Sequence, residues 1–394
     1  MKPDHEATSK ATPRSDPPMS TTVPRRRKTS KKLTIAAATT ATVLLGLLST
    51  GTVTAAEDNS DERLQPKLEE TARQAEVLLR AVDEEFIRLA DKSGFESTEV
   101  SAQTGVKVVK VTPTLDIPDS KMGVAQTVKM RFPVPVSRKA AVERNISVTG
   151  DRTGKRGRQQ VLLPKGRWGW LDDQTAVYRT RNFWPGKTNV RFRLNLTDVV
   201  LRDDGEARYI GGSQATRVET LRLARSFVML IKNRTHHMYV YQNGRLRKKF
   251  GVSLGKRNWE TRSGIKVLTG IKYRNLRMTG NVRGETWDVM SPYSQPITTN
   301  GEFIHSAPWA RYRIGKANGS HGCTNMNIED ARWLYHRTRE GDPVVTKGTG
   351  RAMTARLAYG QGKHWTHQWR AWKKKSALPK NTNQSRKDTF ARIR

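Results

Sequence analysis

The 394-residue sequence contains a single cysteine, Cys323, which excludes an intramolecular disulfide and any site built from several thiolates. Apolar residues make up only 35% of the chain, so long solvated segments are expected beside the folded domains. Acidic residues are scarce: 36 Asp and Glu stand against 72 Lys and Arg, a formal charge of +36. The length predicts two or three domains, and the charge predicts anionic partners.

Residues 1–56 are expected to be a disordered N-terminus followed by a signal peptide or a membrane anchor. Residues 1–24 are polar and rich in proline, which predicts disorder. A basic cluster at 25–32 precedes an uncharged run at 33–56 that ends in small residues, and this order is typical of an export signal. The run is also long enough to cross a bilayer, so an uncleaved single-pass anchor stays open beside cleavage. Both interpretations predict an exported protein.

Residues 57–104 are expected to form a helical segment and a linker. Apolar side chains between 66 and 89 have the spacing of a heptad seam, at Leu68, Ala72, Ala75, Leu79, Val82, Phe86 and Leu89. Two interpretations stay open: an amphipathic helix docked on its own domain, and a short coiled-coil stalk.

Residues 105–220 change to the two-residue periodicity of β-strands, with turn residues between short apolar runs. Strands are expected at 161–163, 175–178 and 190–194. A run of this length with regular turn signals predicts a β-sandwich. Three tryptophans are expected in its core and at its edge: Trp168, Trp170 and Trp184.

Residues 221–350 predict a second, mostly β domain. A strand at 227–231 is followed by a hairpin that leads from 237–241 to 250–252. The hairpin turns at Asn243-Gly244, a dipeptide that favours tight turns.

One main helix is predicted in this second domain, from residue 328 to about residue 339, with Asn327 as its N-cap. Residues 351–372 are Trp-rich, and three indoles are expected to pack on one face: Trp365, Trp369 and Trp372. Residues 373–394 are basic with few apolar side chains, which predicts a disordered tail.

The lone thiol lies in a segment that supplies the groups a cysteine nucleophile needs. His305 can take and return the thiol proton, and Ser306 can orient the imidazole through its backbone or its hydroxyl. Gly322 allows a tight bend, so that the amides of 322–323 can face an oxyanion. A structural cysteine packed beside a core histidine is the alternative. The lack of a second thiol and of a carboxylate at ligand spacing argues against a metal site.

The segment from His305 to Asn325 resembles the signature of L,D-transpeptidases of the YkuD type: a histidine, a spacer, then Ser-His-Gly-Cys, a variable residue and Asn. The segments 300–309 and 331–344 resemble the actinobacterial branch of that family. Members of that branch carry an immunoglobulin-like domain before the catalytic domain, which residues 105–220 resemble. The resemblance therefore implies a mainly β fold: an immunoglobulin-like β-sandwich, a β-rich catalytic domain with one main helix, and a Trp-rich C-terminal cap at residues 351–372.

The resemblance implies acyl transfer on peptidoglycan stem peptides without a cofactor or a metal. Cys323 is implied to attack the third residue of a tetrapeptide donor stem, releasing D-Ala and leaving a thioester. The side-chain amine of a neighbouring stem then resolves the thioester as a 3→3 cross-link. His305 corresponds to the general acid/base of the family and Ser306 to its orienting residue.

The resemblance also implies the residues that contact the substrate. His321 and Asn325 correspond to positions that line the site, beside Gly322 of the motif. Asn300 and Gly301 correspond to a backbone pair that contacts the donor. Trp287 falls where family members often place a substrate-binding tyrosine, and its indole N–H can donate a hydrogen bond but not accept one.

Several alternatives share part of this chemistry. With water as acceptor the enzyme would be an L,D-carboxypeptidase, and with a protein lysine it would attach proteins to peptidoglycan. A non-catalytic, basic wall-binding protein is the alternative from another class. The expected partners are stem peptides and anionic cell-wall polymers, with a membrane contact only through an uncleaved N-terminal segment. Nucleic acid is not expected as a partner, because the export signal places the protein at the cell wall or the extracytoplasmic face of the membrane.

Overall fold

The structure is a computed structural model that describes residues 94–100, 106–154, 157–282 and 284–379. The predicted signal or anchor segment and the heptad seam lie outside these residues. Within the described ranges, no helix has the length and apolar character needed to cross a membrane. All described residues belong to one compact unit.

The first part of the chain folds into short strands that form three sheets. The strands are β1 (Phe95–Val100), β2 (Lys107–Val111), β3 (Thr114–Asp116), β4 (Val128–Arg131), β5 (Ile146–Gly154), β6 (Gly157–Gln160), β7 (Gly166–Trp170), β8 (Thr175–Thr180), β9 (Asn189–Asn195), β10 (Val200–Asp203), β11 (Ala207–Gly211) and β12 (Thr216–Arg222). A short helix, α1 (Lys139–Arg144), follows β4. The sheet orders are β1-β2-β11-β10, β3-β4-β8-β7 and β12-β9-β5-β6, and one hydrophobic core lies between them. The predicted β-sandwich is confirmed, although β1 lies inside the predicted linker.

The tryptophans of this sandwich occupy its core as expected. Trp168, Trp170 and Trp184 are all buried, and the Trp168 ring meets Tyr178 edge-on at 5.3 Å between ring centroids. The strand predicted at 161–163 is wrong, because this segment is irregular and leads into Pro164, which has no N–H for a ladder.

The second part of the chain forms two further sheets. Its strands are β13 (Phe227–Lys232), β14 (His237–Gln242), β15 (Arg245–Gly251), β16 (Gly264–Val267), β17 (Tyr273–Val282), β18 (Glu285–Pro296), β19 (Phe303–Ser306), β20 (Thr324–Met326) and β21 (Pro343–Lys347). The sheet orders are β15-β14-β13-β21-β16 and β17-β18-β19-β20. Helix α2 (Ile328–Arg337) packs against β18 and β19, and residues of both sheets share a second core.

Two local predictions for this part are confirmed. The β14–β15 hairpin turns at Asn243 and Gly244, which have φ of 50° and 80°, the positive values that a tight hairpin turn needs. The main helix begins at Ile328 as predicted and ends at Arg337, slightly before the expected residue.

The C-terminal cap contains α3 (Gly362–Trp365), which packs against β16 of the second part, and α4 (Trp369–Lys373), which packs against β7 of the sandwich. The indole N–H of Trp365 donates to the Ala125 carbonyl at 2.8 Å, and that of Trp372 donates to the Arg167 carbonyl at 3.2 Å. The guanidinium of Arg179 lies 4.9, 5.6 and 5.2 Å from the ring centroids of Trp365, Trp369 and Trp372. The three predicted indoles therefore gather around one buried cation.

The predicted disorder from residue 373 is wrong for residues 373–379. The backbone N–H of Ala377 donates to Glu143 Oε1 at 2.7 Å, and the backbone N–H of Trp170 donates to the Lys375 carbonyl at 2.9 Å. Leu378 is buried. The segment has few apolar side chains, but its polar groups satisfy the buried Glu143 carboxylate, and that source of order is invisible to hydrophobicity. The remaining tail lies outside the described residues.

Candidate active site

Strand pairing brings the two halves of the sequence motif together. Strands β19 and β20 are parallel neighbours, in a register that places His305 opposite Asn325. Cys323 comes directly before β20, at a cavity of about 280 Å³. Six of the predicted site residues line this cavity: Trp287, Gly301, His305, His321, Cys323 and Asn325. Asn300, Ser306 and Gly322 are not among its lining residues.

The Nδ1 atom of the His305 imidazole lies near two oxygens. It lies 2.8 Å from the Ser306 carbonyl oxygen and 2.7 Å from Ser291 Oγ. Since a carbonyl can only accept, Nδ1 carries the proton and Nε2 carries the lone pair. The Ser306 hydroxyl has no hydrogen-bond partner within the described ranges, so Ser306 orients the ring through its backbone.

Ser291 is a functional candidate that sequence reasoning missed. Its hydroxyl donates to the same Ser306 carbonyl at 2.9 Å and lies 3.1 Å from Ser294 Oγ. Ser291 sits on β18, beside β19 in the sheet, and no motif in the sequence indicates that its side chain reaches His305. The serine pair therefore supports the orientation of the imidazole from the neighbouring strand.

Burial sets the charge of both reacting groups. Removal from water lowers the pKa of His305 to about 4, because the charged imidazolium is poorly solvated there. Burial also raises the pKa of the Cys323 thiol to about 12. The Glu302 carboxylate raises this pKa as well, whereas the hydrogen bond from the Phe303 N–H lowers it. The free enzyme therefore holds a neutral thiol and a neutral imidazole.

Short backbone contacts position the thiol. The Phe303 N–H donates to Cys323 Sγ at 3.4 Å, and Sγ lies 3.6 Å from the Gly301 carbonyl oxygen. Gly301 has φ of 94°, a conformation that favours glycine. Gly301 therefore faces the thiol through its backbone carbonyl, and its predicted contact with the donor stem stays a prediction.

Gly322 also has a left-handed backbone, with φ of 120°. Its N–H donates to Ser320 Oγ at 3.1 Å, and that hydroxyl donates to the Cys323 carbonyl at 2.7 Å. Of the two amides predicted to face an oxyanion, the one at Gly322 is therefore engaged by the motif serine.

A buried charged network supports the loop before β19. Arg262 forms an ion pair with Glu302, and the two side chains are 7% and 1% exposed. In the amide orientation that satisfies both of its hydrogen bonds, the Asn300 side-chain oxygen accepts from Arg262 at 3.0 Å and the side-chain nitrogen donates to Thr298 Oγ1 at 2.8 Å. Lys266 is buried and donates to the Arg262 carbonyl. The Asn300 side chain thus braces the loop and turns away from the cavity.

His321 lies in an aromatic cluster at the rim. Its ring stacks on Trp287 with 4.3 Å between centroids and a 13° angle, and it meets Trp259 edge-on at 4.9 Å. Its Nε2 lies 2.7 Å from Glu285 Oε2, and the same carboxylate pairs with Lys256. These contacts occupy the ring face and one nitrogen of His321, whereas His305 keeps its Nε2 lone pair.

A half-buried thiol and a neutral imidazole of fixed tautomer, facing one cavity, form the site of a cysteine nucleophile. Residues 226–346 match the L,D-transpeptidase catalytic domain (YkuD), and residues 54–200 match a bacterial Ig domain. The chain therefore contains an L,D-transpeptidase catalytic domain of the YkuD type, preceded by a bacterial Ig domain. The predicted family and fold class are confirmed, whereas the actinobacterial branch stays a prediction.

Mycobacterial L,D-transpeptidases are similar to this chain. L,D-transpeptidase 5 of Mycobacterium tuberculosis is 29% identical over 267 residues, which cover 66% of this chain and 54% of that protein. L,D-transpeptidase 2 of the same species is 26% identical over 259 residues, which cover 64% of this chain and 59% of that protein. The chain thus spans less than two thirds of the length of these relatives. A solved L,D-transpeptidase from Mycobacterium smegmatis is similar over 64% of this chain and 100% of its own, at 21% identity and a TM-score of 0.44.

Proposed function

We propose that the protein is an exported L,D-transpeptidase that forms 3→3 cross-links between peptidoglycan stems. The observation that carries this proposal is the pair of Cys323 and His305 in one cavity, with the Nδ1 proton of His305 held by the Ser306 carbonyl. That proton position leaves Nε2 as the base, which is the protonation state that deprotonation of a thiol needs.

The first half-reaction transfers the donor stem to the enzyme. His305 Nε2 takes the thiol proton as Cys323 Sγ attacks the carbonyl of the third stem residue. The tetrahedral oxyanion collapses, the C–N bond to D-Ala breaks, and His305 returns the proton to the leaving amine. The product is a thioester on Cys323.

The second half-reaction passes the acyl group to an acceptor. The side-chain amine of a neighbouring stem attacks the thioester and gives a proton to His305. The C–S bond breaks, an amide forms, and the sulfur is reprotonated from His305. Because both groups are neutral in the free enzyme, proton transfer is expected to accompany attack on the carbonyl.

We assign the other site residues to positioning and binding. Asn325 and His321 line the donor cavity, and the Asn300-Gly301 backbone contacts the donor stem. Trp287 presents its indole ring, which stacks on His321, to the donor at the position where family members often have a tyrosine hydroxyl. His321 is assigned no proton transfer, because Glu285 engages its Nε2.

We also propose the wider setting of the enzyme. It acts at the cell wall or the outer face of the membrane, with anionic wall polymers as further partners. The domain limits that we propose are 105–220 for the immunoglobulin-like domain, with β1 added before it, and 221–350 for the catalytic domain, with the cap extended to residue 379.

Mass analysis of products from purified protein and disaccharide-tetrapeptide tests the activity. We expect a cross-linked dimer that has lost one D-Ala, and no dimer with Cys323→Ala, which should keep the fold because only a sulfur is removed. Tripeptide without dimer would identify an L,D-carboxypeptidase instead. Dimer formation by the Cys323→Ala variant would refute the assignment of the nucleophile.

A further inference from the structure

The five-stranded sheet differs from every other described sheet in its charge. Its strands β13, β14, β15, β16 and β21 contain no Asp or Glu, whereas acidic residues occur in each of the other four described sheets. Examples from those sheets are Glu96, Asp116, Asp151 and Glu285. The base-rich edge strand β15 reads Arg-Leu-Arg-Lys-Lys-Phe-Gly.

Strand register places the exposed bases and the half-buried rings of this sheet on one face. Buried Met229, Met238 and Phe250 point to the core, so their neighbours in sequence point outwards. Lys249 pairs with Tyr239, and Tyr239 pairs with Leu230. The next row pairs His237 with Lys232 and Lys232 with Lys347. We call this surface the outer sheet face: Lys232, His237, Tyr239, Tyr241, Lys249 and Lys347.

The bases of the outer sheet face are not neutralised by acids. Lys232, Lys249 and Lys347 are exposed, and in the part of the chain that the structure describes none of them forms an ion pair. Two of them flank one ring instead: the Nζ atoms of Lys232 and Lys249 lie 5.0 and 6.0 Å from the Tyr239 centroid. Positive charge beside a half-buried aromatic ring favours a ligand that carries both anions and flat apolar surface.

We propose that the outer sheet face docks an anionic polysaccharide of the cell wall, with lysines meeting its charged groups and the tyrosines packing against sugar rings. This inference rests on the proposed extracytoplasmic function and adds the surface by which the enzyme binds the cell wall. None of the residues lining the catalytic cavity belongs to β13, β14, β15, β16 or β21. The docked polymer would therefore leave the donor site open and raise the local concentration of stems.

Co-sedimentation with sacculi tests the inference without requiring catalysis. The test variant changes Lys232, Lys249 and Lys347 to Gln. The control variant changes three exposed lysines of the sandwich to Gln, Lys107, Lys121 and Lys165, and so removes the same charge. Wild type and both variants are measured with sacculi that carry their anionic polysaccharide, with sacculi stripped of it by acid, and with vesicles of anionic lipid, each at low and high salt.

The test variant should bind untreated sacculi at least about tenfold more weakly than wild type, a change of about 1.4 kcal/mol. The control variant should stay close to wild type, and stripped sacculi or high salt should remove the difference. Equal losses in both variants would refute the outer sheet face as the docking surface. Wild-type binding that survives stripping would refute the polysaccharide, and a loss confined to anionic lipid vesicles would assign the face to a membrane.

Turnover of soluble disaccharide-tetrapeptide separates this inference from the proposed function. Both variants should cross-link the soluble donor at the wild-type rate. If wild type binds sacculi through the outer sheet face but makes no dimer, the proposed activity fails and the docking surface stands. If dimers form but the test variant binds like wild type, the docking surface fails and the activity stands.

Discussion

Replacing Glu302 with Gln should strongly destabilise the protein and should change the reactivity of the Cys323 thiol. Glu302 is 1% exposed and forms an ion pair with Arg262, and its charge also acts on the buried Lys266. Gln keeps the shape of the side chain but removes the negative charge. Arg262 cannot lose its proton, so the variant leaves a buried cation without its partner.

The expected loss follows from the cost of breaking a buried ion pair from one side, about 3–5 kcal/mol. At about 2–4 °C per kcal/mol for a domain of this size, the melting temperature should fall by about 6–20 °C. Glu206→Gln, the same substitution at an exposed position, is the matched control and should stay within about 0.5 kcal/mol of wild type.

The second readout is the pH dependence of thiol alkylation. The Glu302 carboxylate raises the thiol pKa, so its removal should shift the alkylation curve towards lower pH. Thermal unfolding and alkylation by iodoacetamide, measured on the same samples, check both effects. A variant that melts within about 1 °C of wild type, with an unmoved alkylation curve, would show that the network does not couple to the thiol as described.

Three further outcomes are expected. His305→Gln should reduce cross-linking of soluble stems by about 100-fold or more, the range for a general base, whereas His321→Ala should cost less; the reverse order would exchange the two roles. Stability should decline as the pH falls from about 6.5 to about 4. Burial lowers the pKa of His305 and of His364 to about 4, so the histidines of the unfolded chain take up protons at a higher pH than those of the folded protein. His364→Gln should flatten that decline in pH-dependent denaturant unfolding while sparing turnover, and an unchanged slope would contradict it. Truncation after Trp372 should lower the melting temperature relative to truncation after Pro379, because it removes the Ser376 and Ala377 donors to buried Glu143; equal melting temperatures would show that residues 373–379 add no stability.

Local chemistry in the sequence was enough to predict those parts of the fold that depend on near neighbours. The Asn243-Gly244 turn and the strand runs at 175–178 and 190–194 follow from turn residues and alternation. Helix α2 starts at Ile328 as predicted, although within the described residues the Asn327 side chain makes no capping hydrogen bond. The pairing of Cys323 with His305 was also predictable, because both lie in one short motif.

Contacts between distant segments decided the rest. The apolar run at 161–163 could form a strand by composition, but Pro164 and the packing of its surroundings leave it irregular. Residues 373–379 are ordered because they satisfy the buried Glu143, although they bury little apolar surface. Hydrophobic periodicity carries no information about such polar satisfaction.

The groups that support the site also depend on contacts between distant segments. Ser291 reaches His305 only because β18 lies beside β19, and Arg262 meets Glu302 from a remote loop. The sequence by itself predicted Cys323 as the nucleophile and His305 as its base, since both lie in one short motif. The tertiary structure alone decided their tautomer and charge, because both depend on the burial and hydrogen-bond partners that strand pairing assembles.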